Sequence, residues 1–180
     1  MLTYHDIIKF WFEEITPQQW WIKDAAFDRM IKERFQTLLN SAIHGELYIW
    51  REQPLGRLAE VIILDQFSRN IYRDEAGAFL ADPQALVLAQ EAIHQNIHQE
   101  LEMSQKKFLY MPFMHSESLI VHEQAVKLFS EPGLEDNLAF EHKHKKIIER
   151  FGRYPHRNAL LGRESTQEEM AFLTEPGSSF

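Results

Sequence analysis

The sequence predicts an all-α fold, and three observations carry that expectation. Apolar residues recur at spacings of three and four along most of the chain. Capping residues, Pro and Gly stand where those stripes start and stop. No segment alternates apolar and polar residues between hairpin turns. With 180 residues, 44% of them hydrophobic, the chain is long enough for one domain with a substantial core and too apolar for disorder. The expectation is a single domain over residues 1–173, built of about seven to nine helices with short loops, followed by a flexible tail at 174–180.

Thr3 and Asp6 form a capping pair for a first helix carrying Ile7, Ile8, Phe10, Trp11 and Phe12, too aromatic for a solvated face. Pro17, after Thr16, suits a first helical position. Trp20-Trp21 follows, a pair that can serve as a ligand platform but that the nearby Phe27 favours as packing. Asp24 caps a helix to His44 whose stripe is Phe27, Met30, Ile31, Phe35, Leu38, Leu39 and Ala42, and Gly45 ends it. A turn with Leu47 and Trp50 precedes Pro54. Leu55–Phe67 is the most apolar helix. Asp82-Pro83 starts another, and Gln105–Tyr110 reads as a short turn before Pro112. Ser116 caps a helix carrying Leu119, Ile120, Val126, Leu128 and Phe129, with Glu117 in its first turn, and Asp136 or Asn137 opens the next, ending near Phe151. Ser165 with Glu168, or Thr166 with Glu169, caps a last short helix.

Composition narrows the chemistry. There is no cysteine, so disulfides and thiolate catalysis are excluded. The first residues lack the basic and apolar regions of a secretion signal, and no apolar run approaches the roughly 20 residues that cross a bilayer. A cytoplasmic protein without a membrane partner is the expectation. A net charge of −8 argues against nucleic-acid binding. The charge is uneven, however: His142 to Arg163 holds seven Lys/Arg against one acid, which suggests a local anion site or a solvated basic face.

Three polar segments stand out. Residues 65–73 carry Asp65, Gln66, Arg69, Asn70 and Arg73, with Asp65 and Arg69 one helical turn apart. His115 and Glu117 flank Ser116 just ahead of a helix start, where backbone N–H groups converge on anions. Residues 150–165 carry Arg153, His156, Arg157 and Asn158 between two glycines. His94 and His98 are spaced i, i+4 but lack further ligands, so no metal is expected there. No serine elbow, phosphate-binding glycine loop or zinc-protease motif is present, and no cofactor is expected.

The stretches Leu64–Arg73, Pro112–Glu117 and Arg150–Thr166, with Phe10-Trp11-Phe12 and Trp20-Trp21, resemble a bacterial family known only as domain of unknown function nine-two-four. The likeness covers nearly the whole chain, departing after Leu173. It implies a tetratricopeptide-like helical array and supplies no mechanism.

Three functional readings follow. In the first, Arg69, Arg73, Arg153 and Arg157 form a pocket for a small phosphate or carboxylate, oriented by Gln66, Asn70 and Asn158. His115 or His156 then transfers protons, and Asp65 or Glu117 holds a histidine or an arginine in place. In the second, the chain is an interaction module that takes an acidic peptide or C-terminal carboxylate. In the third, the same side chains only lock helix ends together through buried ion pairs.

Overall fold

A computed structural model describes residues 2–180. Among them the regular elements are all helical and none is a strand. The chain divides into two compact units. The first runs up to Arg73 and resumes over Gly77–Pro112; the second is Asp74–Ala76 with Phe113–Phe180.

In the first unit, α1 (Tyr4–Lys9) starts at the expected capping box, with Asp6 accepting the Thr3 N–H at 2.7 Å. It widens into a π-helical turn over Phe10–Glu14. A 3₁₀ turn, Pro17–Trp20, precedes α2 (Ala25–Ile43). Asp24 caps α2 by accepting the N–H groups of Ala26 and Phe27 at 2.8 and 3.0 Å. The face that α2 buries is Phe27, Ile31, Phe35, Leu39 and Ala42.

After a 3₁₀ turn at Tyr48–Glu52 comes α3 (Pro54–Ile62), then a π turn over Ile63–Phe67, then α4 (Ser68–Ile71). A single α-helix over 55–67 is therefore corrected to an α-helix that widens before its polar end. The π turn adds a residue to the helical repeat and changes the facing of everything after it. α5 (Gly77–Leu80) and α6 (Asp82–His94) follow, α6 burying Ala85, Ala89 and Ala92. Asn96 then takes left-handed φ of 60°, which breaks the helical register between His94 and His98.

The core of this unit is aromatic. Phe10 packs on Phe35 at 4.8 Å and edge-on to Phe67 at 5.9 Å, while Trp11 meets Phe67 and Phe108. Phe108 belongs to α7 (Met103–Met114), which contradicts the expected turn at Gln105–Tyr110. The helix continues through Pro112, although a proline inside a helix costs about 3 kcal/mol. Phe108, Leu109, Tyr110, Met111, Phe113 and Met114 are all buried, and that apolar burial outweighs the lost backbone donor.

The second unit pairs α8 (Leu119–Phe129) with α9 (Glu135–Phe151), followed by a 3₁₀ turn at Pro155–Arg157 and α10 (Gln167–Phe172). Ser118, not Ser116, sits at the cap position of α8. The Ser116 hydroxyl instead accepts the Ser118 N–H at 3.2 Å, a turn made just before the helix. α9 begins at Glu135, one residue ahead of Asp136, and ends at Gly152, whose φ of 69° is the left-handed conformation glycine tolerates. Of the two candidate caps for α10, Thr166 with Glu169 is the one formed, while Ser165 accepts from Asn158.

Ile147, Ile148, Tyr154 and Phe172 form the small core, with Phe151 against them. The 174–180 segment makes contacts of its own: Ser178 is buried and donates to the Leu173 carbonyl, and the Phe180 ring lies 3.8 Å from that of His144. Among the described residues no helix is long and apolar enough to cross a membrane.

Gly56 in α3 gives a test of how closely the 3₁₀ turn at Tyr48–Glu52 packs. A Cβ there would lie 2.0 Å from the Trp50 carbonyl oxygen. Gly56→Ala should therefore destabilise by about 1–3 kcal/mol in a denaturant titration, although alanine favours helix by about 1 kcal/mol. An unchanged or raised midpoint would refute that packing.

Candidate functional site

The first polar segment lies in the first unit. Arg69 donates to the Asp65 carbonyl at 2.8 Å and forks onto Asp82, at the start of α6, at 2.7 and 2.9 Å. Arg73 forks onto Asp28 from the first turn of α2, one of its bonds measuring 2.7 Å. Asn70 reaches the same carboxylate at 2.8 Å. Gln66 donates to Asp65 at 2.6 Å, and both are buried. The sequence places Asp65 and Arg69 together correctly. It does not disclose Asp28 and Asp82, because partners 45 and 13 residues away leave no local pattern.

The other two segments lie in the second unit and are bonded to each other. Glu117 accepts both arms of Arg163 at 2.7 and 2.9 Å and the Tyr154 N–H at 2.7 Å. Arg157 is buried, donates to the His115 carbonyl at 2.9 Å, and lies 4.6 Å from the Tyr154 ring centre. Arg153 forks onto Glu169 at 2.7 and 2.8 Å. Asn158 donates to Ser165 and to Glu169 and accepts from Arg163. His115, Glu117, Arg153 and His156 keep part of their surface in water.

Behind this loop is a buried polar chain that the sequence reading missed. His122 on α8 and Glu141 on α9 have no exposed surface, and His122 Nδ1 is 2.6 Å from Glu141 Oε1. The other ring nitrogen, Nε2, faces the Ser116 carbonyl at 2.8 Å and Tyr154 Oη at 3.2 Å. Tyr154 uses its own proton on the Met114 carbonyl at 2.5 Å. The signal was spacing: His122 shares a face with Ala125 and Phe129, and Glu141 with His144 and Ile148, each at i, i+3, i+7.

The family described as "Bacterial protein of unknown function (DUF924)" matches residues 7–177. The chain belongs to this family. A solved structure of a protein of unknown function from Agrobacterium tumefaciens is similar at 38% identity and a TM-score of 0.90, covering 95% of this chain and 96% of that one. No curated protein matches in sequence.

Proton positions in this DUF924 chain follow from its geometry. The Ser116 carbonyl can only accept, so His122 Nε2 carries hydrogen. One proton then lies between Nδ1 and Glu141. Burial pushes the Glu141 carboxyl above its usual range, against the pull of His122. Its second oxygen has no hydrogen-bond partner among the described residues, a poor setting for a full negative charge. Both facts favour the proton on the Glu141 carboxyl, facing Nδ1.

Nearer the surface, the loop carboxylates are ionised. Burial pushes Glu117 up, but Arg163, the Tyr154 N–H and the charge of Arg157 bring it below the usual range. Arg153 first, then the Thr166 N–H, bring Glu169 down to about 2. His144 goes the other way from an ordinary imidazole: burial brings it down to about 3, and its Nδ1–H donates to the Phe140 carbonyl at 2.8 Å.

Two tests follow from these protons. Glu141→Gln keeps a donor to His122 Nδ1, so its thermal midpoint should stay near the parent's. An ionised pair would instead lose about 3–5 kcal/mol on the same substitution. For His144, the folded value near 3 lies below the unfolded 6.5, so the folded state binds fewer protons in that interval. Stability from this group is complete above pH 6.5 and drains as pH falls toward 3, by up to about 1.4 kcal/mol per unit. His144→Leu should flatten that limb in melts recorded from pH 7 to 3.5. An equally steep limb in the variant would mean other groups cause it.

Proposed function

We propose that this chain binds a small anionic ligand, a phosphate or carboxylate, at the cluster formed by residues 114–117 and 153–163. The joining of those two segments through Glu117 and Arg157 is the observation that supports this reading. Arg153 and Arg163 each hold a carboxylate of the same unit. Arg157, buried and bonded to the His115 carbonyl, with Asn158 beside it, is the group the proposal assigns to the anion. Arginine's planar fork suits such a ligand, and His115 or His156 would transfer the proton if a reaction follows. Asp65, Gln66, Arg69, Asn70 and Arg73 have their contacts with Asp28 and Asp82 in the other unit, and the proposal assigns them no ligand.

A second reading takes the chain as a tetratricopeptide-like interaction module for an acidic peptide or a C-terminal carboxylate. The saturation of Arg69, Arg73, Arg153 and Arg163 by the chain's own acids favours it, because arginines so held build a rigid scaffold.

Thermal shift separates the two. Inorganic phosphate, phosphorylated sugars and dicarboxylates should raise the melting temperature of the parent, since a ligand at 100 times its Kd stabilises by about 2.7 kcal/mol. Arg157→Lys and His115→Ala should lose that rise while still melting cooperatively. A response to acidic peptides alone would favour the module. No response to either would leave the arginines as helix locks.

A further inference from the structure

We propose that Trp20, Trp21 and Lys107 form a docking face on the first unit for an acidic segment of a partner protein, one carrying a carboxylate beside an apolar side chain. These residues are separate from the loop discussed above, and the inference does not depend on Arg157 taking an anion.

The face is built, not incidental. Thr16 and Gln19 form a capping box that fixes the 3₁₀ turn at Pro17–Trp20, with the Thr16 N–H donating to Gln19 at 2.8 Å. The Trp20 indole N–H donates to the Trp11 carbonyl at 2.9 Å, which sets the plane of its ring. Phe108 packs edge-on against Trp20 at 5.0 Å and nearly parallel to Trp21 at 5.9 Å. Lys107 Nζ lies over this cluster, 4.1 Å from the Trp20 centroid, 5.3 Å from Phe108 and 5.9 Å from Trp21.

Lys107 lacks what six of the chain's other cations have. Arg34, Arg51, Lys145, Arg150, Arg153 and Arg163 each meet a carboxylate within 4 Å. Lys107 has no carboxylate partner among the described residues, in a chain with 27 acids to 19 Lys and Arg. It is also half-buried, and burial lowers its pKa with no acid opposing. The aromatic faces favour the charged form and offset part of that cost. A carboxylate laid against the ammonium would supply the remainder.

The occupant's other half follows from the surroundings. Trp21, 5.9 Å from this cation, is 53% exposed, and Ile22, next in the chain, is 55% exposed, an unusual surface for two large apolar side chains in succession. A surface this open encloses little of a small ligand, which normally buries most of its area. A protein segment gathers contacts over a wider footprint, and tryptophan is the residue type most enriched at the energetic centres of such contacts. A cation bordered by exposed indole surface therefore selects an acidic residue next to an apolar one.

The test is selection from a random 16-residue peptide library on phage against the full chain. Enriched peptides are then titrated by fluorescence polarisation against the parent, Lys107→Met, Lys107→Arg, Trp21→Ala and Arg157→Ala, each checked for a cooperative melt. The expected result is enrichment of Asp or Glu within a few positions of an aromatic or aliphatic residue. Lys107→Met and Trp21→Ala should weaken binding by about tenfold or more, and Lys107→Arg should largely retain it. No enrichment, enriched peptides without acids, or binding indifferent to Lys107→Met would overturn the proposal. Binding lost only in Arg157→Ala would overturn it too and assign the peptide to the loop instead.

Discussion

A charged group taken out of water has to find its counterpart, and the polar segments of this chain are organised by that requirement. Glu117 shows it most plainly. One carboxylate, placed just before α8, receives both arms of Arg163 and the backbone N–H of Tyr154, and so fixes the loop that follows α9. Glu169 does the same from α10, taking Arg153, Asn158 and the Thr166 N–H. Remove either acid and an arginine is left half-buried without its partner. In the first unit Asp28 and Asp82 stand in the same relation to Arg73 and Arg69.

The two units reach order by different means. The first packs aromatic rings, Phe10, Phe35 and Phe67 among them, with apolar faces of α2, α3 and α6 around them. The second has a smaller apolar core and threads a polar chain through it, from Glu141 through His122 to Tyr154 and the Met114 carbonyl. A hydrogen-bonded polar chain gains little net energy over apolar packing, but it admits few alternative arrangements. The same unit holds its loop of charged side chains through the pairs Arg153–Glu169 and Arg163–Glu117.

What could be seen in the sequence was local. The Thr3, Asp24 and Thr166 caps, the stripe of α2 and the glycine after Phe151 each act within a turn or two of helix, and each stands where its residues indicate. The misplacements were of two kinds. Pro112 signals a helix end by local chemistry, and tertiary burial of the residues around it overrides that signal. Ser116 looks like a cap, but its carbonyl is claimed by His122 and the helix starts later. For the candidate site, the residues Arg153, Arg157, Asn158, His115 and Glu117 were legible as a polar cluster. Their partners were not, since pairs such as Glu117 and Arg163 are 46 residues apart and share no period. His122 and Glu141 were overlooked because an ionisable residue inside a helix is usually read as solvated, when only its place in the apolar stripe betrays burial.

The sequence distance spanned by those bonds also governs the order of assembly. Tyr154 to Glu117 and Arg157 to His115 close intervals of 37 and 42 residues, whereas α8 and α9 are neighbours joined by a short turn. Long intervals bear the larger chain-closure entropy, so the helical hairpin is the natural scaffold and the arginine loop the piece that clicks home last. The same order in reverse makes the loop the first part to open as the chain breathes, ahead of the hairpin that carries it.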